Sequence, residues 1–295
     1  MSHGYARWAH PASNGMKLFD AHTHIHFPAY DADRDEVIKR AKEAGVKMLC
    51  VGTQAASSQA AGELARKNPG EIWAAAGFHP NHFASSWYHD KKEQAESERE
   101  KFNAERLLEI AKQSEVVAIG ECGLDYYRLP DDKQQTTNDK KVQREAFIAQ
   151  IKIAEQVGKP LMMHIRPSQG TDDAYLDALD IFKAENFSGG KISHFFVGSL
   201  GATSKMLEAG FSFTFGGVVT FARDYDEVIK YLPIENILLE TDAPYVAPMP
   251  YRGKRNEPAY ISATAAKLAE LKGLSAEEVA EKTFANALRI FKITL

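Results

Sequence analysis

Eight short apolar runs alternate with longer amphipathic segments along this chain, and that alternation restricts its fold more than any other feature. The runs cover residues 16–24, 46–53, 72–79, 116–123, 160–165, 191–196, 211–216 and 236–241. Several are hydrophobic almost without interruption, as strands buried on both faces are. Helical patterns fill the intervals at 33–44, 55–67, 93–113, 142–157, 172–184, 201–209 and 225–231. Two more follow the last run, at 260–272 and 276–291, the second opened by the capping box Ser275-x-x-Glu278. Helices between strands imply parallel pairing through right-handed crossovers, and eight such units predict an α/β fold, a closed (β/α)8 TIM barrel. An open doubly wound sheet is the alternative, since it needs no fixed strand number. Residues 16–295 exceed the ~250 of a typical barrel only by modest loop insertions.

The opening residues 1–15 are rich in Ser, His, Gly, Pro and Asn without periodicity and read as a flexible tail. No linker divides the remainder, so one domain is expected over residues 16–295. No run approaches about eighteen apolar residues, and the N-terminus lacks the apolar core of a signal peptide. A cytoplasmic protein without membrane contact is therefore expected. Cys50 and Cys122 sit in apolar, strand-like surroundings with no CxxC spacing, which predicts reduced, buried thiols. The 36 Lys and Arg residues against 40 Asp and Glu leave a net charge of −4, too acidic for a protein that coats nucleic acid broadly. The charged stretch 90–105 mixes both signs and runs into Leu107, Leu108 and Ile110, the pattern of a solvated helix face.

Ionisable residues fall at the C-terminal ends of the apolar runs: Asp20, His22 and His24; His79; Glu121 and Asp125; His164 and Arg166; His194; Glu240 and Asp242. An unpaired polar group inside such a strand costs several kcal/mol, roughly 2–7. The C-terminal rim of a barrel is also where active sites are built. Residues two apart on a strand share a face, so His22 with His24, His164 with Arg166, and Glu240 with Asp242 point together. Each of these has a structural reading by itself, as a core histidine, a salt bridge or a cap. Together, closure of the barrel gathers His22, His24, Glu121, His164, His194 and Asp242 around one axis. Four nitrogens and two carboxylates suffice for two divalent metal ions if Glu121 bridges them.

These residues lie in motifs that run in order through the chain. Phe19-Asp20-Ala21-His22-Thr23-His24, Gly77-Phe78-His79-Pro80 and Gly120-Glu121-Cys122-Gly123-Leu124-Asp125-Tyr126 come first. Met163-His164-Ile165-Arg166, Ser193-His194-Phe195, Glu240-Thr241-Asp242-Ala243-Pro244-Tyr245 and Arg255-Asn256-Glu257-Pro258 follow. The series resembles the TatD family of metal-dependent deoxyribonucleases, within the amidohydrolase superfamily. The resemblance implies a barrel with His22, His24, Glu121 and Asp242 on one ion, and Glu121, His164 and His194 on the other. It also implies Mg²⁺- or Mn²⁺-dependent hydrolysis of DNA, often as a 3′–5′ exonuclease preferring single strands, with RNA or D-aminoacyl-tRNA as further substrates. Related two-zinc enzymes often carry a carboxylated lysine where this chain has Glu121. Three departures stand out. Cys122 replaces an aliphatic residue but by alternation faces away from Glu121; Asn81 displaces His82 from the family's HPH spacing; and the insertion around 87–99 is long enough to alter the mouth of the site.

Within this reading Asp242 and Glu121 are the catalytic carboxylates, Asp242 accepting the proton of the attacking water and Glu121 bridging. His79, Arg128, Arg166 and Arg255 are expected to contact substrate phosphates, with Arg252 and Lys254 close to the last. Tyr126, Tyr127, Tyr245 and Trp87 offer faces for unpaired bases. Glu240 either orients a ligand, holds a further ion or makes a core salt bridge. Nitrogen-rich sites bind zinc more tightly than magnesium, so zinc in the isolated protein and Mg²⁺ or Mn²⁺ in function are both expected. The expected partner is single-stranded DNA or strand ends, then RNA or tRNA, acted on by a monomer. The alternative activity is a D-aminoacyl-tRNA deacylase or another ester or amide hydrolase, and a binding protein with a vestigial site is disfavoured by the intact ligand set.

Overall fold

The computed structural model describes residues 15–295. The expected tail at 1–15 lies, apart from Gly15, outside the described residues. Eight parallel strands pair in sequence order and close into a barrel, which sets aside the open sheet. They are β1 (Leu18–Thr23), β2 (Val46–Val51), β3 (Ile72–Ala76), β4 (Val116–Asp125), β5 (Leu161–Arg166), β6 (Lys191–His194), β7 (Phe211–Phe215) and β8 (Ile237–Leu239). Helices α1 (Arg34–Glu43), α2 (Ala55–Lys67), α3 (Ala104–Ala111), α4 (Lys133–Val157), α5 (Asp173–Glu185), α6 (Leu200–Glu208) and α7 (Asp226–Tyr231) alternate with them. After β8 come α8 (Ile261–Lys272) and α9 (Ala276–Phe291), the latter opened by the expected Ser275–Glu278 capping box. No described helix is long and apolar enough to cross a membrane.

The strands divide their side chains between two buried clusters. Leu49, Val51, Ala75, Ala118, Met162, Ile192 and Leu238 form the barrel interior with Phe19, Ala21 and three residues of α9. Their strand neighbours, Cys50 and Cys122 among them, pack against the helices instead. Alternation carries the interior face upward from Met162 to His164 and from Ile192 to His194, so the rim histidines crown the inner cluster.

Two strands break that alternation. Register shifts between Asp20 and Thr23 on β1 and between Ile119 and Cys122 on β4. Ala118 and Glu121 are three residues apart and would otherwise face opposite sides; such irregularities re-aim a side chain. Gly120 makes the β4 break possible, because a Cβ there would collide with the carbonyl oxygen of Met162.

Two helices differ from expectation. The pattern over 93–113 yields a helix only at Ala104–Ala111, and the charged stretch 90–105 is not a solvated helix face. Its side chains reach the barrel instead: Thr53 Oγ1 donates to Glu93 Oε1 (2.5 Å), Gln54 Nε2 to Gln94 Oε1 (2.5 Å) and the amide of Ala56 to Glu100 Oε2 (3.0 Å). Tertiary hydrogen bonds there outweigh helical propensity. Conversely, α4 begins at Lys133 rather than 142, capped by Asp132, whose Oδ1 accepts from the Gln135 amide (2.8 Å). Its first turns are polar and exposed, so they carry no apolar period.

Candidate metal centre

Glu121 on β4 lies at the centre of the rim, with its two oxygens facing different histidines. Oε1 is 2.9 Å from His194 Nε2, 3.2 Å from His164 Nδ1 and 3.3 Å from His79 Nε2. Oε2 is 3.4 Å from His22 Nε2 and 3.8 Å from His24 Nε2. Asp242, just beyond β8, completes the His22–His24 side, its Oδ1 lying 3.5 Å from His24 Nε2 and 4.0 Å from His22 Nε2. Three triads have ligand atoms within 4.8 Å of one another: His22–Glu121–His194, His22–His24–Asp242 and His79–Glu121–His164.

Hydrogen bonds behind the cluster decide which nitrogen each ring presents. His24 Nδ1 lies 2.7 Å from the Val51 carbonyl, so it must donate, and in the neutral ring Nε2 carries the lone pair, toward the centre. His164 is turned the other way: its Nε2 faces Asp125 Oδ2 at 3.1 Å and Nδ1 faces Glu121. Asp125 Oδ1 accepts in turn from the Tyr127 amide (3.0 Å). Behind His194, Nδ1 stands 3.5 Å from Glu240 Oε2. Glu240 is itself fixed by Thr214 Oγ1 (2.5 Å) and the Phe195 amide (2.9 Å). His79 differs from the others. Its Nδ1 accepts from the Asn81 amide (3.0 Å), so the neutral ring carries its proton on Nε2 and points a donor, not a lone pair, at Glu121.

Charges follow from the same contacts. Burial, reinforced by His194, pushes His22 down to about 4, so it is a neutral, ligand-ready imidazole at neutral pH. Burial lowers His79 as well. For His24, His164 and His194 burial acts downward too, but the facing carboxylates win and raise all three. Glu121 resists its own burial and stays well below the usual carboxylate range because His79, His194 and His22 surround it.

The residues fit a divalent metal. The Nε2 atoms of His22 and His24 lie 3.1 Å apart, and the buried Nδ1 of His22 has no partner among the described residues. Converging imidazole nitrogens and carboxylate oxygens are the donor set that Zn²⁺, Mn²⁺ and Mg²⁺ sites draw on. Glu240 should act through His194: Glu240→Ala is expected to weaken metal affinity about 10- to 100-fold with the barrel still folded, as measured by metal titration beside circular dichroism. Unchanged affinity would show that Glu240 only packs the core.

The site opens into a cleft of about 890 Å³. Among the described residues, Arg128 and Arg166 are the only Lys or Arg side chains lining it, and neither makes an ion pair. Arg255 stands elsewhere: it grips Asp33 through two bonds (2.9 and 2.6 Å), donates to the Ala29 carbonyl (2.7 Å) and is absent from the cleft lining. The structure thus does not bring Arg255 to the cleft beside Arg128 and Arg166. Tyr126 packs rather than presents a face, being 4% exposed with its hydroxyl donating to Asp177. Displaced His82 faces Glu93 Oε1 at 3.0 Å and helps to pin the insertion. Sequence reasoning did not assign Asp125 to His164, although its place four residues after Glu121 on one strand was a signal, and it missed Thr214, which fixes Glu240 behind His194.

A parallel barrel whose C-terminal rim carries imidazoles and carboxylates that could hold a metal ion has the make-up of a metal-dependent hydrolase. The chain belongs to the TatD family: the family profile described as TatD related DNase matches residues 19–292. It is 37% identical over 280 residues to the uncharacterized metal-dependent hydrolase YabD of Bacillus subtilis, covering 94% of this chain and 99% of that one. It is 34% identical over 284 residues to the 3′-5′ ssDNA/RNA exonuclease TatD of Erwinia billingiae, with 94% and 99% covered. Among solved structures it resembles the TatD homologue YJJV from Escherichia coli K12, with a TM-score of 0.76, 27% identity, and 94% and 98% of the two chains covered.

Proposed function

We propose that this protein removes nucleotides from the 3′ ends of single-stranded DNA, and of RNA, by hydrolysing phosphodiester bonds with two divalent ions, Mg²⁺ or Mn²⁺ in function. The observation that carries the reading is the position of Glu121, one carboxylate whose two oxygens face separate sets of histidines at the floor of an open cleft. His22, His24, Glu121 and Asp242 would hold one ion, and Glu121, His164 and His194 the other. Bound there, the ions supply Lewis acidity and positive charge to a phosphoryl centre.

The chain's own groups do the rest. Asp242 is the less buried of the two central carboxylates and accepts the proton of the attacking water. His79 Nε2, which faces Glu121 Oε1 at 3.3 Å, would donate to an oxygen of the phosphate once Glu121 is taken up by the ions. Arg128 and Arg166, free of carboxylate partners, take the neighbouring phosphates through the forked geometry of guanidinium. The name borne by the Erwinia relative, at 34% identity, supports the substrate class.

A panel of labelled single-stranded DNA, duplex DNA, RNA and D-aminoacyl-tRNA, with chelation and metal add-back, tests the reading. Single strands should be shortened from the 3′ end, chelation should abolish this, and Mg²⁺ or Mn²⁺ should restore it where Zn²⁺ does not. Hydrolysis of the charged tRNA alone, or cleavage indifferent to chelator, would overturn it.

A further inference from the structure

The two Arg side chains that line the cleft among the described residues share one arrangement. The Arg128 guanidinium lies over the ring of Tyr88, 4.7 Å from its centroid, and that of Arg166 over Tyr127 at 3.9 Å. All four residues line the cleft that contains Glu121. Tyr88 and Tyr127 are among the most exposed large hydrophobic side chains, at 47% and 46%. An arginine stacked on an aromatic ring keeps its in-plane donors free for phosphate. A ring covered on one face and nearly half exposed keeps its other face available.

Neither pair is a chance surface contact. Tyr127 and Arg166 extend the strands that build the centre: the Tyr127 amide donates to Asp125, which faces His164, and Arg166 follows His164 by two residues on β5. Tyr88 arrives on the insertion that departs from the expected helix. That segment is tied down by the Glu93 contacts to Thr53 and His82, by the Tyr245 hydroxyl donating to Asp90 (2.7 Å), and by Ser85 donating to Asp139. Tyr88 is thus carried on a braced wall.

We propose that Tyr88 and Tyr127, each backed by an arginine without a carboxylate partner, form a two-step ladder that stacks unpaired nucleobases on the tyrosines while the guanidiniums hold the adjoining phosphates. The ladder makes the site select single strands, because duplex bases are already stacked on one another. This rests on the nuclease reading above and adds to it a specificity element, half of which comes from the insertion.

The test is steady-state kinetics of the metal-loaded full chain on a single-stranded oligothymidylate and on bis(p-nitrophenyl) phosphate, a diester without nucleobases. Tyr88→Ala and Tyr127→Ala should each raise KM for the oligonucleotide roughly five- to 150-fold, the range of one lost base–aromatic stack, with kcat little changed. Tyr88→Phe and Tyr127→Phe, which keep the ring, should restore KM, and the small diester should lose far less than the oligonucleotide. An unmoved KM in both alanine variants while the wild type degrades the oligonucleotide overturns the ladder and leaves the nuclease reading standing. Equal losses on both substrates, or no rescue by phenylalanine, also overturn it. A wild type that hydrolyses the small diester but leaves the oligonucleotide intact overturns both readings.

Discussion

Replacing Glu121 by alanine is expected to lower hydrolysis at least about 10³-fold and to strip the isolated protein of metal. Its carboxylate lies within 4 Å of five imidazoles, those of His22, His24, His79, His164 and His194. Among the described carboxylates it alone lies within 4 Å of both the His22–His24 side of the centre and the His164–His194 side; Asp242 reaches only the first, and Asp125 and Glu240 only the second. Glu121→Gln separates charge from shape: it keeps the volume and one acceptor, yet should be nearly as inactive as alanine if the negative charge is what gathers the ions. Metal content per chain by atomic emission, turnover on the best substrate and circular dichroism make up the measurement. A folded Glu121→Ala protein within tenfold of wild-type activity would sink the proposed centre.

The second large effect lies one layer below. Asp20 is fully buried on β1, and β8 is a strand of only three residues, registered to β1 at Asp20 and Leu239. Asp20 reinforces that short seam, Oδ1 accepting from the amides of Thr241 (2.9 Å) and His22 (3.3 Å) and Oδ2 from Thr241 Oγ1 (2.5 Å). Burial pushes its carboxyl up to about 8 against these bonds. Asp20→Ala would strand three buried donors beside the candidate metal ligands. A loss of at least about 3 kcal/mol is expected, since each of the three orphaned groups costs about 1–3. Asp20→Asn, which keeps the shape and a carbonyl acceptor, should lose less than half of that. Urea unfolding of the metal-free proteins measures both, and a loss below about 1 kcal/mol in the alanine variant would show that the strands close without this bond.

Much of the barrel was legible because its signals are local. A buried parallel strand needs a short apolar run, a crossover needs an amphipathic segment, and neither requires knowledge of its partner. The helix at 93–113 was misread for the same reason. Its composition suits a helix, but Glu93 bonds to Thr53, forty positions away, and no local pattern announces that. Arg255 shows the same limit: it stands beside a rim motif, yet its guanidinium is held by Asp33, 222 positions away, which no local pattern announces.

Residue identity and spacing specify which chemistries are present: imidazoles and carboxylates at strand ends, where burial makes each of them costly unless it is used or paired. Tertiary structure decided how they meet. Alternation from Ala118 would have sent Glu121 outward, and the register shift on β4 turned it in. Closure supplied the groups that choose each ring's tautomer, Val51 for His24 and Asp125 for His164, and so separated the lone pairs of the ligands from the donor of His79. Periodicity is a property of neighbours along the chain, whereas a proton's position on an imidazole is set by whatever the fold brings within about 3 Å of the ring.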